Sequence, residues 1–288
     1  MSLMSSTRSA VAAMSTLGLC VLGPALSPTV ARAEPAAPWP AQVNAVYSIS
    51  FNGFDIGTFE FNSAVSGHSY VLTGDAKLSA LLGAFTWRGM TKTSGAIGRD
   101  QPRPTGYTFS FAGMGKTGSV QLGFAGENVS NVSMQPVPPP SPTPTVPLRE
   151  PHLKGVLDPL SAVMALSRAT ATNPCDRKLA IFDGRQRFDL LLSYKRQEHV
   201  RETRPSGQPG VAFVCRVRYQ PVAGHKINDE TRAMAASQDI EISLRPVPSA
   251  NLFVPHQIVI PTGAGTAKLT AVRIQIVTPR NEQIALGD

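Results

Sequence analysis

Cysteine is scarce in this chain, with Cys20, Cys175 and Cys215 the full set in 288 residues. Cys175 and Cys215 lie far apart and lack the clustered spacing that zinc ligation uses, so no metal site is expected. The five histidines, His68, His152, His199, His225 and His256, show no ligand-like spacing either. Neither a G-x-S-x-G nucleophile elbow nor an H-E-x-x-H metal helix is present, which leaves no recognisable catalytic residue. Beyond the N-terminal region, no apolar run approaches the roughly 18 residues that a membrane-spanning helix needs. Basic blocks are missing too. The densest basic group, Arg185 to Arg204, is interleaved with Asp189, Glu198 and Glu202, which makes nucleic acid a poor partner.

What is present begins with an export pattern. Arg8 supplies a short positive region, an apolar stretch runs from Ala10 to about Leu26, and Ala31-Arg32-Ala33 has the small-x-small form that signal peptidase cuts. Residues 1–33 are therefore expected to be a signal peptide cleaved after Ala33. Cys20 follows Leu19, so it lacks the small preceding residue that lipid attachment requires. The remainder, 34–288, suits one β-rich domain large enough to bury its own core. Its net charge falls by two from +8 when Arg8 and Arg32 leave. That modest excess fits work near an anionic membrane surface, or nothing beyond solubility. In an oxidising compartment Cys175 and Cys215 form an even pair and are predicted to bridge.

Period-two alternation, glycine turns and β-branched residues dominate from Val43 onward. Val43–Phe51 and Phe54–Val65 read as strands joined by Asn52-Gly53, whose residues tolerate the positive φ of a tight turn. Further strands are predicted at 70–77, 85–97, 105–112, 116–125, 129–134, 179–182, 187–196, 212–220, 239–244, 253–260 and 267–277. Many carry apolar residues on one face only, as in an antiparallel sheet with one wet face or an enclosed cavity. The segment 135–151 is crowded with proline and should be extended, either separating two domains or, the preferred reading, forming a stiff connection along one domain. One helix is clear, with Asp158 as N-cap, Pro159 at the first position and an apolar stripe through Leu160, Val163, Met164 and Leu166, ending near Thr170. A second short helix is expected at Ala76–Gly83. These elements define a mainly β fold: an antiparallel β-barrel, or an open spiral-like half-barrel, with one packed α-helix.

Two stretches invite functional readings. Gly113-Met114-Gly115-Lys116-Thr117-Gly118 matches G-x-G-x-x-G, but a strand-like alternation follows where a dinucleotide site needs a helix. A hairpin turn is the better reading, and no cofactor is expected. Asp183-Gly184 signals a type I′ hairpin. After it, Arg185, Arg187 and Asp189 project from one face as a candidate polar anchor for an anionic head group, or as a solvated face with cross-strand pairs.

Asp158-Pro159-Leu160-Ser161 heading a helix, then Cys175, then Phe182-Asp183-Gly184-Arg185-x-Arg187-Phe188-Asp189-Leu190, resembles an exported proteobacterial family known as a domain of unknown function, DUF3108. Tyr47, Gly53 and Ile56-Gly57 look like its opening hairpin, so the resemblance spans about Val43 to Val277. It implies a periplasmic location and brings no catalytic residues. A curved sheet with a helix across its mouth is also similar, at fold level alone, to the periplasmic lipoprotein carriers LolA and LolB, which enclose acyl chains. Three functions arise as expectations. The first is a non-enzymatic periplasmic protein that binds an apolar or lipid-like ligand in envelope maintenance, favoured by a cavity of several hundred Å³ (on the scale of ligand pockets). The second is an envelope protein with a filled core that docks a protein partner. The third is an enzyme, which needs a histidine and a carboxylate converging in a cleft.

Overall fold

The structure is a computed structural model and describes residues 38–80, 83–98, 101–168, 173–202 and 205–287. The expected signal peptide, its cleavage point, Cys20 and Thr170 lie outside the described residues. Seven strands come first: β1 (Gln42–Phe51), β2 (Phe54–Ser66), β3 (Ser69–Ala80), β4 (Phe85–Ile97), β5 (Pro102–Gly113), β6 (Lys116–Ala125) and β7 (Asn128–Gln135). Helix α1 (Pro159–Ser167) leads to β8 (Arg177–Phe182), β9 (Arg187–His199) and β10 (Val211–Ala223). Helix α2 (Asp229–Ala236) precedes β11 (Glu241–Val247), β12 (Leu252–Thr262), β13 (Gly265–Val277) and β14 (Gln283–Gly287).

All fourteen strands belong to one antiparallel sheet in the order β7-β6-β5-β4-β3-β2-β1-β13-β12-β11-β10-β9-β8, with β14 added on β13. Two meanders therefore meet at the β1–β13 pair. The local turns follow from sequence: Asn52 and Gly53 both take positive φ between β1 and β2, as do Met114 and Gly115 between β5 and β6. The glycine-rich motif is thus a hairpin. At the β8–β9 connection only Gly184 has positive φ, so the expected type I′ turn is replaced by a four-residue turn. There the Asp183 carboxylate accepts from the backbone N–H groups of Arg185 and Gln186 at 2.8 and 2.7 Å.

The sheet does not close into a barrel. Its terminal strands β7 and β8 are instead linked through Lys154–Leu157: Gly155 donates to the Glu127 carbonyl at 3.0 Å, and Leu157 donates to Ala180 at 2.9 Å. The β8 end tucks inside the curl. Leu179 and Ile181 pack with α1 and the β10–β11 core, while Phe182 packs with Tyr107, Val120 and Leu122 of β5–β6. Both faces of β8 are covered, which makes the sheet a short spiral. The proline segment runs alongside the end of β10, with Val146 donating to His225 at 3.0 Å and Ile227 donating to Pro144 at 2.8 Å.

Two helical expectations need correction. Of the helix expected at Ala76–Gly83, Ala76–Ala80 is strand, because β3 continues between β2 and β4 and directs Leu78 toward Trp87, while Leu81 and Leu82 lie outside the described residues. The second helix is α2, capped by the Asn228 side chain accepting from Thr231 N–H at 3.0 Å, with Met234 turned to the core. Helix α1 ends at Ser167, slightly short of the expected point.

Candidate functional site: the apolar concave face

Opposed residues of an antiparallel pair share a face, so the ladder registers trace the inner wall directly. One row runs Tyr47, Phe59, Ala76, Gly89, Phe111, Gly118, and the next runs Ile49, Gly57, Leu78, Trp87, Gly113. Aromatic rings crowd the glycines of this wall. A Cβ on Gly89 would sit 2.3 Å from the Trp87 ring, one on Gly118 2.6 Å from Phe111, and one on Gly74 2.9 Å from Phe59. Phe59, Leu78, Trp87, Phe109 and Phe111 are only half-buried, as are Ile258 and Leu269 across the β12–β13 wall. The outer face of the same strands carries Asp75, Lys77, Arg88 and Lys92.

Helix α1 crosses one end of this concave face. Leu160 and Met164 pack on Tyr70 and Leu72 of β3, while Ala162, Ala165 and Leu166 pack toward β8 and β11. A helix apolar on nearly all sides belongs inside such a wrap. Beneath it lies a cavity of about 110 Å³, lined by Trp39, Tyr47, Phe61, Val163, Met164 and Leu269 among others. Ligand pockets usually span about 300–1,000 Å³. The enclosed part is therefore narrow, and it opens onto the half-exposed rows.

Both ends of α1 are pinned. At its start the fully buried Asp158 carboxylate accepts from the N–H groups of Leu160 and Ser161 at 3.0 Å each, from the Ser161 hydroxyl, and from Thr93 Oγ1 at 3.1 Å. Tyr70 Oη and Ser161 Oγ are 2.8 Å apart, which ties the helix to β3. At its end the Arg177 guanidinium donates to the carbonyls of Ala165 and Arg168 at 3.2 and 2.7 Å. The predicted disulfide joins Cys175, just beyond the helix, to Cys215 of β10 with Cα atoms 5.2 Å apart.

Burial holds the Asp158 carboxyl above its ordinary value of 3.8, although hydrogen bonds from Ser161 and Thr93 pull the other way. Between the two values the folded protein keeps a proton that the unfolded chain has released, so this group's contribution to stability falls as pH rises through that window. Asparagine caps equally well and does not titrate. Wild type is accordingly expected to lose ground to Asp158→Asn as pH rises above the ordinary carboxyl value of 3.8. Paired urea melts at several pH values check this, and a pH-independent difference would contradict it.

The predicted polar anchor is divided. Arg185 sits exposed in the turn, whereas Arg187 Nη1 and Asp189 Oδ1 are 2.6 Å apart and Lys178 Nζ lies 3.0 Å from Asp189 Oδ2. Arg187 and Asp189 share the face of Phe182 and Ala180, turned toward β5–β6 rather than into the α1 cavity. Near β14 a second, polar cavity of about 190 Å³ contains His256, Glu202 and the buried Arg245. Burial holds the His256 imidazole below its ordinary value. The carboxylates nearby are already engaged: Glu202 with Arg245 at 2.7 Å and Ser206 at 2.9 Å, Glu198 with Ser243 at 2.6 Å. Sequence reading reached Asp158 and Val163 but not Phe59, Trp87, Phe111 or Leu269. Their common signal is an aromatic or aliphatic residue opposite a glycine or another apolar residue, which only the register reveals.

Fold and site define an open, spiralled antiparallel sheet wound about one pinned helix, with an apolar concave wall. The chain belongs to the family described as protein of unknown function, DUF3108, whose model matches residues 46–272. No curated protein and no solved structure matches the chain. Among the described residues no helix is long and apolar enough to cross a membrane, and no group of histidine, cysteine and acidic residues is arranged to hold a metal ion.

Proposed function

We propose that the protein is a non-enzymatic, periplasmic binder of a narrow apolar ligand, of the acyl-chain type, serving the cell envelope. The observation that carries this reading is the apolar cavity beneath α1 together with the run of half-buried Phe59, Leu78, Trp87, Phe109 and Phe111 on the same wall, of which Phe59 lines the cavity itself. A folded protein gains nothing in stability by leaving such rings uncovered, and an apolar concavity with few polar anchors is the usual form of a ligand site. Because α1 is fixed at both ends, the ligand enters along the uncovered wall and reaches beneath the helix tail-first.

The cavity's small volume favours a second reading, an envelope protein whose core is mostly filled and which docks a protein partner. Titration with a soluble fluorescent fatty acid separates the two. Val163 lies on the cavity side of α1 and is half-buried, so Val163→Trp fills the cavity without deleting a core residue. Saturable probe binding, weakened about tenfold or about 1.4 kcal/mol by Val163→Trp, supports the ligand reading. Absence of saturable binding to wild type rejects it in favour of the second.

A further inference from the structure

We propose that Trp39 is the stop of the apolar cavity. Its indole closes the end beneath α1 and sets how deep the methyl end of an acyl chain can reach. The proposal rests on the ligand-binding reading and adds the direction in which the chain lies and the residue that selects its length. Pro38-Trp39-Pro40 precedes β1. A residue before proline is confined to extended backbone, and Pro40 is itself buried, so Trp39 is held with little freedom. The next residue is tied to the sheet, with Val65 N–H donating to the Ala41 carbonyl at 2.9 Å. The half-buried indole packs on two apolar clusters at once, one holding Tyr70, Leu72 and Met164 and the other Leu252, Val254 and Ile276. It therefore spans the gap between the β3 side and the β12–β13 side of the curl. The Arg168 guanidinium, at the C-terminal end of α1, lies 4.9 Å from the ring centre and braces it.

Strand direction places this stop opposite the open end of the wall. Trp39 precedes the start of β1, whereas Ile49, near the other end of that strand, shares a row with Gly57, Leu78 and Trp87. The cavity lining reaches from Val43 to Leu269, the partner of Ile49, which is roughly 20 Å of strand. Among the described residues none that lines it is charged. Its Tyr47 and Ser167 hydroxyls are engaged with the carbonyls of Pro255 and Val163 at 3.0 and 2.9 Å. A carboxylate buried there would lose its hydration without replacement. The head group therefore stays at the water-facing end, and the methyl end meets Trp39. The distance from stop to water then selects a long, narrow acyl chain. A shorter one leaves the closed end empty, and a longer one leaves methylenes in water.

Position-labelled fatty acids test this. Trp87→Phe leaves Trp39 as the only tryptophan of the chain. Stearate carrying a nitroxide near its methyl end, or near its carboxylate, is titrated into this variant. Binding is read from immobilisation of the nitroxide, and location from quenching of Trp39 fluorescence. The methyl-end label is expected to quench Trp39 strongly and the carboxylate-end label several-fold less. In a second measurement, Trp39→Ala opens the closed end, and stearate should gain on palmitate by about tenfold relative to wild type, the worth of two further buried methylenes. Immobilised label that quenches Trp39 equally from both positions, or from neither, would overturn the stop while leaving ligand binding in place. An unchanged stearate-to-palmitate ratio in Trp39→Ala would do the same. Label that is never immobilised rejects ligand binding itself, and the stop falls with it.

Discussion

Replacing Cys175 and Cys215 together by alanine is expected to lower the unfolding free energy by about 4 kcal/mol. The bridge closes a loop of 40 residues by sequence separation, and both sulfurs are fully buried between the chain leaving α1 and β10. Chain entropy sets the magnitude, since the cross-link removes open conformations from the unfolded ensemble. Location sets the consequence. Together with the Arg177 hydrogen bonds, the bridge fixes the helix that roofs the cavity. Urea denaturation of the double variant should show the loss as a lower midpoint with a steeper slope, because the freed unfolded chain exposes more surface. A difference below about 1 kcal/mol would mean that the unfolded chain is already held compact.

Gly184→Val is expected to cost a similar amount, about 4 kcal/mol, by a different route. Gly184 has φ +98°, a conformation that a β-branched residue scarcely adopts, and such backbone strain costs roughly 1–3 kcal/mol. A Cβ there would also lie 2.3 Å from Val120 Cγ1, where the β8–β9 turn tucks against β6, and overpacking adds roughly 1–3 kcal/mol. The substitution therefore probes the overlap of the spiral's two ends. Hydrogen exchange should show Tyr107 and Leu122 losing protection together with Phe182. A variant as stable as wild type would contradict the overlap.

How much of the fold was legible in the chain depended on whether the signal was local. Asn52-Gly53, Asp158-Pro159 and the alternation through β4 and β6 each specify their own conformation, and all appear where expected. The disulfide followed from compartment and parity alone. Short elements with mixed signals were missed. Helix α2 carries its Asn228 cap and Asp229-Glu230 first turn, but only Thr231, Met234 and Ala235 turn inward. At Ala76–Ala80 helix-favouring residues yield to pairing on both edges, a tertiary override of local preference. The concave wall was out of reach for a geometric reason. Register shifts between Val46 and Tyr47, Ile49 and Ser50, and Gly123 and Phe124 each exchange the faces of the residues beyond them. Within β2 and β4 the alternation separates two faces but does not say which is concave, so Phe59 and Trp87 read equally as inward or outward. The tuck of β8 inside β6 joins Val120 and Phe182, which are distant in sequence, and has no local signature.

Native mass spectrometry of protein purified from cells, with organic extraction of whatever accompanies it, decides whether the concave wall holds an apolar ligand. A recurrent co-purifying lipid-like species that is lost in Val163→Trp is the expected result. Protein that is repeatedly empty, and that also fails to bind the fatty-acid probe, would contradict the ligand-binding reading.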